Sequence, residues 1–244
     1  MAVRTVAGIS LEARGLRAAF TERGRAPRNI LDVRQFRIDG GAQVAICGPS
    51  GSGKTTLLHL LAGLERPRRG NIRWGEAEIT AFPERVADRW RRETVGLVFQ
   101  EFHLFPGLSA LENVLLPLRF DRWAVEPVLR TRALKLLERV GVRPTGDVVD
   151  LSRGEQQRVA VARALLRKPA IVLADEPTGN LDRDAANVVA DLLSSLCRGA
   201  NATLVVATHD PSLAGRLDGA YDVVDGDLRP RVPVVVRPPL RSAA

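Results

Sequence analysis

The segment GPSGSGKT, from Gly48 to Thr55, constrains the fold of this chain more than any other stretch of its sequence. It fits the pattern G-x-x-x-x-G-K-[ST], in which glycines let backbone amides turn inward around phosphate oxygens. A short apolar strand pattern, QVAIC, precedes it, and a helical pattern, KTTLLHLLAGL, follows it. The segment therefore predicts a strand–loop–helix unit of an α/β protein that binds a nucleoside triphosphate.

Each residue type in this loop suits a triphosphate. Lys54 is expected to reach the β- and γ-phosphates as a point charge, and the Thr55 hydroxyl is expected to bind Mg²⁺. The amino-terminal end of the following helix adds a field that favours an anion. The predicted nucleotide contacts here are Gly48, Pro49, Ser50, Gly51, Ser52, Gly53, Lys54, Thr55 and Thr56.

Polar side chains follow three further strand patterns. Asp175, at the end of IVLAD, is expected to hold Mg²⁺ directly or through water, and Glu176 to orient and polarise the attacking water. Gln100 could bind Mg²⁺ or a water, and His209 could donate to a γ-phosphate oxygen. Taken alone, the two acids could equally be solvated groups at a strand end, and Gln100 and His209 would more often be strand-end polar groups than ligands. Because parallel strands bring their carboxyl ends to one crevice, the four are predicted to converge on the phosphate loop.

Strands alternate with helices along most of the chain, which predicts a mostly parallel sheet covered by helices. Two further strand patterns, at 9–20 and 29–37, flank a polar turn near the start. Residues 109–140 show helical patterns, interrupted at Pro117 and Pro127. The block from about 101 to 167 contains no strand pattern and predicts a helical subdomain.

The domain is predicted to span residues 1–229. The remaining residues, 230–244, form a tail rich in proline and arginine that is expected to be poorly ordered. The sequence contains no internal repeats.

Composition narrows the class of protein. The net charge of +8 is spread along the chain, which gives little reason to expect nucleic acid as a partner. No run of 18 apolar residues is present to cross a membrane, and the start of the chain lacks the apolar stretch of a secretory signal. The two cysteines, Cys47 and Cys197, form no disulfide framework. These features favour a cytoplasmic location.

The segment LSRGEQQRVAVARALL, which begins at Leu151, predicts a helix with a well-defined start. Ser152 and Glu155 have the spacing of a capping box, in which each side chain binds a backbone amide at the other residue. Gly154 leaves the mouth of this helix open, and helix mouths attract anions. The segment could be an ordinary surface helix or half of an anion site.

Together these segments resemble the ATP-binding-cassette (ABC) ATPases over about residues 9–229. The motifs stand in the family's order: phosphate loop at 48–55, Q-loop at Gln100, signature at 151–155, Walker B at 171–175 followed by Glu176, D-loop at 179–182 and switch histidine at His209. The resemblance implies a P-loop NTPase fold with a RecA-like core, an antiparallel β-subdomain and an α-helical subdomain that carries the signature. It also implies that Phe20 stacks on adenine, although Phe20 could instead be a core residue of the β-subdomain.

The resemblance further implies a shared mechanism with ATP and Mg²⁺. Two copies pair head to tail, so that the signature of one copy covers ATP on the phosphate loop of the other. Ser152 and the Gly154 amide would contact the γ-phosphate across the interface, beside Arg153 and Glu155, and Asp182 would link the two sites. Intact Glu176 and His209 argue against an ATP-binding module that has lost catalysis.

The finer similarity is to the lipoprotein-release, macrolide-export and cell-division branch. It implies an ATPase on the inner face of the cell membrane that drives a permease through about Phe102–Val114. Alternatives are force transmission in cell division, or a soluble ABC ATPase acting on nucleic acid, for which the chain lacks the usual insertions. The apolar side chains in this segment could face the permease or form the subdomain's own core; they are Phe102, Leu104, Phe105 and Leu108.

The signature departs from the usual L-S-G-G-Q. Arg153 stands in place of a glycine and Glu155 in place of glutamine. Glu155 brings a negative charge near a triphosphate, where repulsion at ~8 Å would be about 2 kcal/mol. Our hypothesis is that Arg153 compensates for this charge. The connection before the signature, GVRPTGDVVD, is also shorter than is usual in the branch.

Overall fold

The computed structural model of the chain describes residues 8–20, 28–120 and 125–231. Within these ranges the strands are β1 (Leu11–Phe20), β2 (Arg28–Ile38), β3 (Gln43–Cys47), β4 (Arg69–Trp74), β5 (Ala77–Glu78), β6 (Val95–Val98), β7 (Ile171–Asp175), β8 (Thr203–Thr208), β9 (Gly219–Val224) and β10 (Asp227–Pro230). The α-helices are α1 (Lys54–Leu61), α2 (Glu84–Thr94), α3 (Ala110–Arg119), α4 (Pro127–Arg139), α5 (Arg153–Leu165), α6 (Arg183–Gly199) and α7 (Pro211–Ala214).

Six strands form the central sheet, in the order β10-β9-β3-β8-β7-β6. All neighbours pair in parallel except β10, which forms an antiparallel hairpin with β9. Every residue of β3 and β8 is buried, as expected for parallel strands covered on both faces. The prediction of a mostly parallel sheet is therefore confirmed, and the hairpin that ends it is an addition.

A second sheet is antiparallel, with the strand order β2-β1-β4-β5. Its inner face is apolar and packs with α1 and strands of the central sheet in one core; Leu16, Phe36 and Trp74 belong to it. Its outer face is charged, where Glu12 pairs with Arg14. This alternation is typical of a sheet with one solvated face, and the predicted antiparallel sheet is confirmed.

The helices α3, α4 and α5 pack together over a second apolar core that extends to α6 and the central sheet. The predicted interruption at Pro117 is wrong, because α3 continues through Pro117 to Arg119. Pro117 lies in the last turn, where its fixed φ suits a helix and only one backbone hydrogen bond is lost. Pro127 begins α4, the position where the missing N–H matters least.

None of the helices in the described ranges is long and apolar enough to cross a membrane. Of the predicted tail, Pro230 ends β10, and residues 232–244 lie outside the described part. The domain boundary at 229 and the disorder of the tail therefore remain predictions.

Candidate nucleotide site

The phosphate loop connects β3 to α1, and a glycine at its end sets the path of the chain. Gly53 precedes the first residue of α1 with φ +100°. A Cβ added there would lie 2.6 Å from Ile30 Cγ2 on β2. An amino acid with a side chain would be strained at this φ and would collide with Ile30. Glycine avoids both problems, so the start of α1 can face the loop directly.

Lys54, the first residue of α1, turns its side chain back into the loop. Its Nζ donates to the carbonyl oxygens of Gly48 at 2.9 Å and Pro49 at 3.2 Å, and lies 3.4 Å from Glu176 Oε1. The residue is only 6% exposed. The charge is therefore held at the centre of the loop, with oxygen atoms as its neighbours.

Glu176 lies at the carboxyl end of β7 in a strained conformation. Its φ of 42° is in the left-handed region, which costs a non-glycine residue about 1–2 kcal/mol. Its amide donates to Ala207 O on β8 at 2.9 Å. One carboxylate oxygen faces Lys54, and the other lies 2.9 Å from His209 Nδ1. The strain thus places one carboxylate between a lysine and a histidine.

Asp175 and Thr55 supply oxygen atoms beside this carboxylate. The Asp175 Oδ1 atom is buried and has no hydrogen-bond partner within the described residues, and Ser52 Oγ is in the same state. Burial raises the pKa of Asp175, and its hydrogen bond with Thr55 partly opposes that shift. A buried carboxylate oxygen without a partner, next to a hydroxyl, has the chemistry of a Mg²⁺ ligand set.

Gln100 lies two residues beyond the end of β6 rather than at the strand end itself. A Cβ on Gly179 would lie 3.4 Å from its Nε2, so the amide reaches the turn after Glu176. The structure thus brings Gln100 to the side of the crevice. Phe20 is different: its backbone ends β1, and its side chain lies outside the described part of the chain.

The predicted capping box at the start of α5 is confirmed. The Ser152 hydroxyl accepts from the Glu155 amide at 3.3 Å, and Glu155 Oε2 accepts from the Ser152 amide at 3.0 Å and hydroxyl at 2.8 Å. These bonds hold the pKa of Glu155 below its usual range, with smaller contributions from Arg158 and Arg143.

Arg153 is exposed, and among the described residues it forms no ion pair with Glu155. The nearby charges that stabilise the Glu155 carboxylate are instead those of Arg158 and Arg143. Within one chain, the structure therefore gives no direct support to compensation by Arg153.

Gly154 has a structural role at the same helix mouth. A Cβ there would lie 3.0 Å from the Ala185 Cβ of α6, so a glycine lets α5 and α6 approach closely. Asp182 caps α6 by accepting from the Ala185 amide at 2.9 Å. The predicted site residues therefore fall into two groups: one around the phosphate loop and one at the adjoining starts of α5 and α6.

Two side chains near these groups were missed by the sequence reasoning. Gln157 is fully buried and donates to Pro177 O at 2.8 Å, joining α5 to the turn after β7. Asn180 donates to the Gln100 carbonyl at 3.3 Å. A polar residue in a buried helix could have pointed to Gln157, but no sequence pattern indicates the Asn180 contact.

The fold and the loop together define a P-loop nucleotide-binding protein with its polar residues at the carboxyl ends of parallel strands. The model of the ABC transporter family matches residues 31–179. The chain belongs to this family. Family membership confirms the expected ABC-type ATPase, and the chain is an ATP-hydrolysing transporter subunit.

Relatives place the chain within the family. It is 44% identical to the lipoprotein-releasing system ATP-binding protein LolD of Legionella pneumophila, over 85% of this chain and 92% of the relative. It is 43% identical to the LolD of Pseudomonas fluorescens, over 82% and 88%. An uncharacterised ABC transporter ATP-binding protein of Mycobacterium tuberculosis is 43% identical over 86% and 85%. These relatives confirm the predicted branch and favour transport over the cell-division alternative.

Solved structures agree with the fold. A dimeric post-hydrolysis state of the ATP-binding cassette MJ0796, bound to ADP and Pi, has a TM-score of 0.81 and 34% identity, and the match covers 90% of this chain and 97% of that one. The cassette cbiO1 of Clostridium perfringens has a TM-score of 0.79 and 26% identity, with 90% and 86% covered. The predicted fold class is confirmed.

Proposed function

We propose that two copies of this chain bind two ATP molecules head to tail and use their hydrolysis to drive a permease of the lipoprotein-release type. One observation supports this most: Lys54, Glu176 and His209 meet within hydrogen-bond or ion-pair distance beside the phosphate loop. Groups placed in this way serve phosphoryl transfer, in which positioning and charge stabilisation are most of the catalysis.

The residues take separate roles in this proposal. Lys54 leaves the Gly48 and Pro49 carbonyls to bind the β- and γ-phosphates, which frees Glu176 from its ion pair. Glu176 then accepts a hydrogen bond from the attacking water and takes its proton. His209, already 2.9 Å from Glu176 and 63% exposed, orients that carboxylate and donates toward the γ-phosphate.

Mg²⁺ would be held by Thr55, Asp175 and Gln100, and when bound it would offset the charge of the phosphate oxygens. The partnerless Asp175 oxygen supports this assignment. The adenine would stack on Phe20. The other nucleotide contacts would come from the phosphate loop and, across the dimer, from Ser152, Arg153, Gly154 and Glu155, with Asp182 between the two sites.

The permease would bind at a groove of about 440 Å³ between the central sheet and the helices. Phe99, Phe105 and Phe120 line it, and Phe105 and Phe120 are 53% and 78% exposed. Leu104 instead packs against the helical core. In this proposal the exposed side chains of the segment Phe102–Val114 would face the permease. Such a partner would place the chain on the inner face of the cell membrane.

The substitution Glu176→Gln tests the proposal. It keeps the shape of the side chain but removes the base, and we expect ATP hydrolysis to fall by a factor of about 10²–10⁴. ATP should remain bound and hold two copies together, which size-exclusion chromatography with and without MgATP measures. Glu138→Gln, at an exposed glutamate of α4, is the matched control. Normal hydrolysis by Glu176→Gln would remove Glu176 from this role.

A further inference from the structure

Residues 102–109, the partner-facing segment, are held by side chains from two helices. Asn113 of α3 is fully buried; it accepts from the Phe105 amide at 2.7 Å and donates to the Ser109 carbonyl at 3.1 Å. Arg163 of α5 donates to the carbonyls of Phe102, at 2.7 Å, and His103. The backbone of this segment is therefore fixed by Asn113, a near neighbour along the chain, and by Arg163, which lies 60 residues beyond His103.

Arg163 is an unusual anchor because no carboxylate pairs with it in the part of the chain that the structure describes. Burial lowers the pKa of its guanidinium. Desolvating a charge without a counter-ion is costly, and the two carbonyl dipoles are its compensation. The two backbone contacts therefore explain the presence of an arginine at this position better than a general need for surface charge does.

The backbone that Arg163 holds is itself strained. His103 has a φ of 47°, in the left-handed region, and its ring meets Phe99 edge to face at 5.1 Å. A non-glycine residue in this region costs about 1–2 kcal/mol, and such residues persist where the surroundings fix them. The two bonds from Arg163 span this residue and its neighbour, so they hold the segment in a conformation that it would not keep alone.

The attachment of the segment is unequal between the two parts of the fold. Toward the central sheet, Asn180 donates to the Gln100 carbonyl and to Glu101, both at 3.3 Å. Toward the helices, Arg163 and Asn113 make shorter bonds. Beyond Glu101 the segment is therefore more firmly attached to the helices than to the sheet.

Arg163 also lies on the helix that begins at the signature. It is 11 residues beyond Ser152, which in an α-helix corresponds to about 16 Å. A movement of the mouth of α5 toward a nucleotide would move the Arg163 end of the same helix. The carbonyls of Phe102 and His103 would follow it.

We infer that Arg163 is a positioning residue that couples the signature helix to the partner-facing segment, so that closure on nucleotide is delivered to the permease surface. This inference rests on the proposed function. It assigns to Arg163 a task that is separate from binding ATP and separate from hydrolysis.

Hydrogen exchange on the full chain tests the inference, with and without a Mg²⁺-bound non-hydrolysable ATP analogue. In the wild-type chain, the first turn of α5 and residues 102–109 should both exchange about tenfold more slowly with nucleotide, a size typical of coupled sites. In Arg163→Met the first turn of α5 should still slow, whereas residues 102–109 should lose the effect.

Two further variants sharpen the result. Arg163→Lys keeps the charge but has no planar fork that can span two carbonyls, so it should retain only part of the coupling. This variant also tests the inference if Arg163→Met fails to fold. Arg132→Met is the matched control, because Arg132 lies on α4 in the same group of helices and donates to a different backbone carbonyl, that of Leu166, at 3.4 Å. It should keep the wild-type response.

The possible failures are distinguishable. If residues 102–109 respond to nucleotide in Arg163→Met and Arg163→Lys as they do in the wild type, the coupling role of Arg163 is wrong and the proposed function stands. If the first turn of α5 does not respond even in the wild-type chain, the shared nucleotide site is wrong, and the inference fails with it.

Discussion

At the scale of single residues, backbone conformation decides where the chemistry lies. Glu176 and His103 both adopt left-handed φ values without being glycine, and each lies beside a group that the proposed function uses. Gly53 reaches a positive φ without that penalty but leaves no room for a side chain. Strain and steric fit at these positions place a carboxylate, a loop and a helix mouth within reach of one another.

The two loop glycines Gly51 and Gly53 provide a matched test of this fit. Both have positive φ, but a Cβ at Gly51 would meet open space, whereas a Cβ at Gly53 would meet β2. We expect Gly51→Ala to lower the free energy of unfolding by about 1 kcal/mol, and Gly53→Ala by about 2–4 kcal/mol. Urea unfolding without nucleotide measures both values. Equal effects would show that the contact with Ile30 is unimportant.

The signature substitutions are tested by a double-mutant cycle. Because Glu155 is bound by Ser152 and no ion pair joins it to Arg153 in the described structure, Arg153→Gly and Glu155→Gln should act independently. The interaction energy between their effects on the rate of ATP hydrolysis should be below about 0.5 kcal/mol, the lower end of the range for residues that interact directly. A double variant that recovers the activity lost in either single variant would restore the compensation hypothesis.

At the scale of elements, α5 joins both groups of site residues. Its start carries the capping box, its buried Gln157 reaches the turn after β7, and its last turn carries Arg163. A single helix thus connects the predicted γ-phosphate contact, the strand that carries Glu176 and the partner-facing segment. The stability of its first turn should therefore matter for function as well as for folding.

The capping box gives α5 a predictable response to acid. The pKa of Glu155 is lower in the folded state than in the unfolded state. At a pH above the unfolded-state pKa, the ionised carboxylate therefore contributes its full stabilisation, and this contribution is lost as the pH falls through the folded-state pKa. At neutral pH the free energy of unfolding of the wild type should exceed that of Glu155→Gln by about 0.5 kcal/mol, a value that already allows for solvent screening. Urea unfolding from pH 7 down to about 3 should show this difference disappear.

Glu138→Gln removes the same charge from an exposed glutamate of α4 outside any capping box. Its free energy of unfolding at neutral pH should differ less from that of the wild type than the value for Glu155→Gln does. If the gap between wild type and Glu155→Gln grew with acid, the capping bonds would not be the cause of the lowered pKa.

At the scale of the whole molecule, the two groups of predicted site residues lie in different places in the fold. One surrounds the phosphate loop, and the other lies where α5 and α6 begin. The dimeric solved structure of the cassette MJ0796, at a TM-score of 0.81, supports pairing between copies. In the proposed dimer, each nucleotide would need both groups, one from each copy.

Mixing two inactive variants tests this sharing. Lys54→Met damages the phosphate loop, and Ser152→Asp adds a charge at the signature while keeping a good N-cap residue. Each alone should be inactive. A mixed dimer has one intact site, so an equal mixture should recover at most about a quarter of the wild-type ATP hydrolysis.

The control mixture combines Lys54→Met with Glu176→Gln. Both changes lie in the same half of the site, so every site of a mixed dimer carries one of them and no activity should return. Recovery in the control, or none in the test mixture, would contradict a site shared head to tail.

The sequence by itself determined the fold class, the phosphate loop and the capping box, because each depends on residues close together in the chain. A strand, a glycine loop and a helix are local, and so is the Ser152–Glu155 pair. The sequence did not determine that α3 continues through Pro117. The burial of the residues around Pro117 outweighed the tendency of proline to end a helix.

Only the tertiary structure decided which distant groups meet. The strain at Glu176 and His103 depends on contacts from other elements, and so do the bonds of Asn180 and Arg163 to backbone carbonyls. Side-chain-to-carbonyl contacts of this kind need no particular partner residue, because every residue has a carbonyl. They therefore leave no pattern in the sequence, although they fix the segment on which the proposed coupling depends.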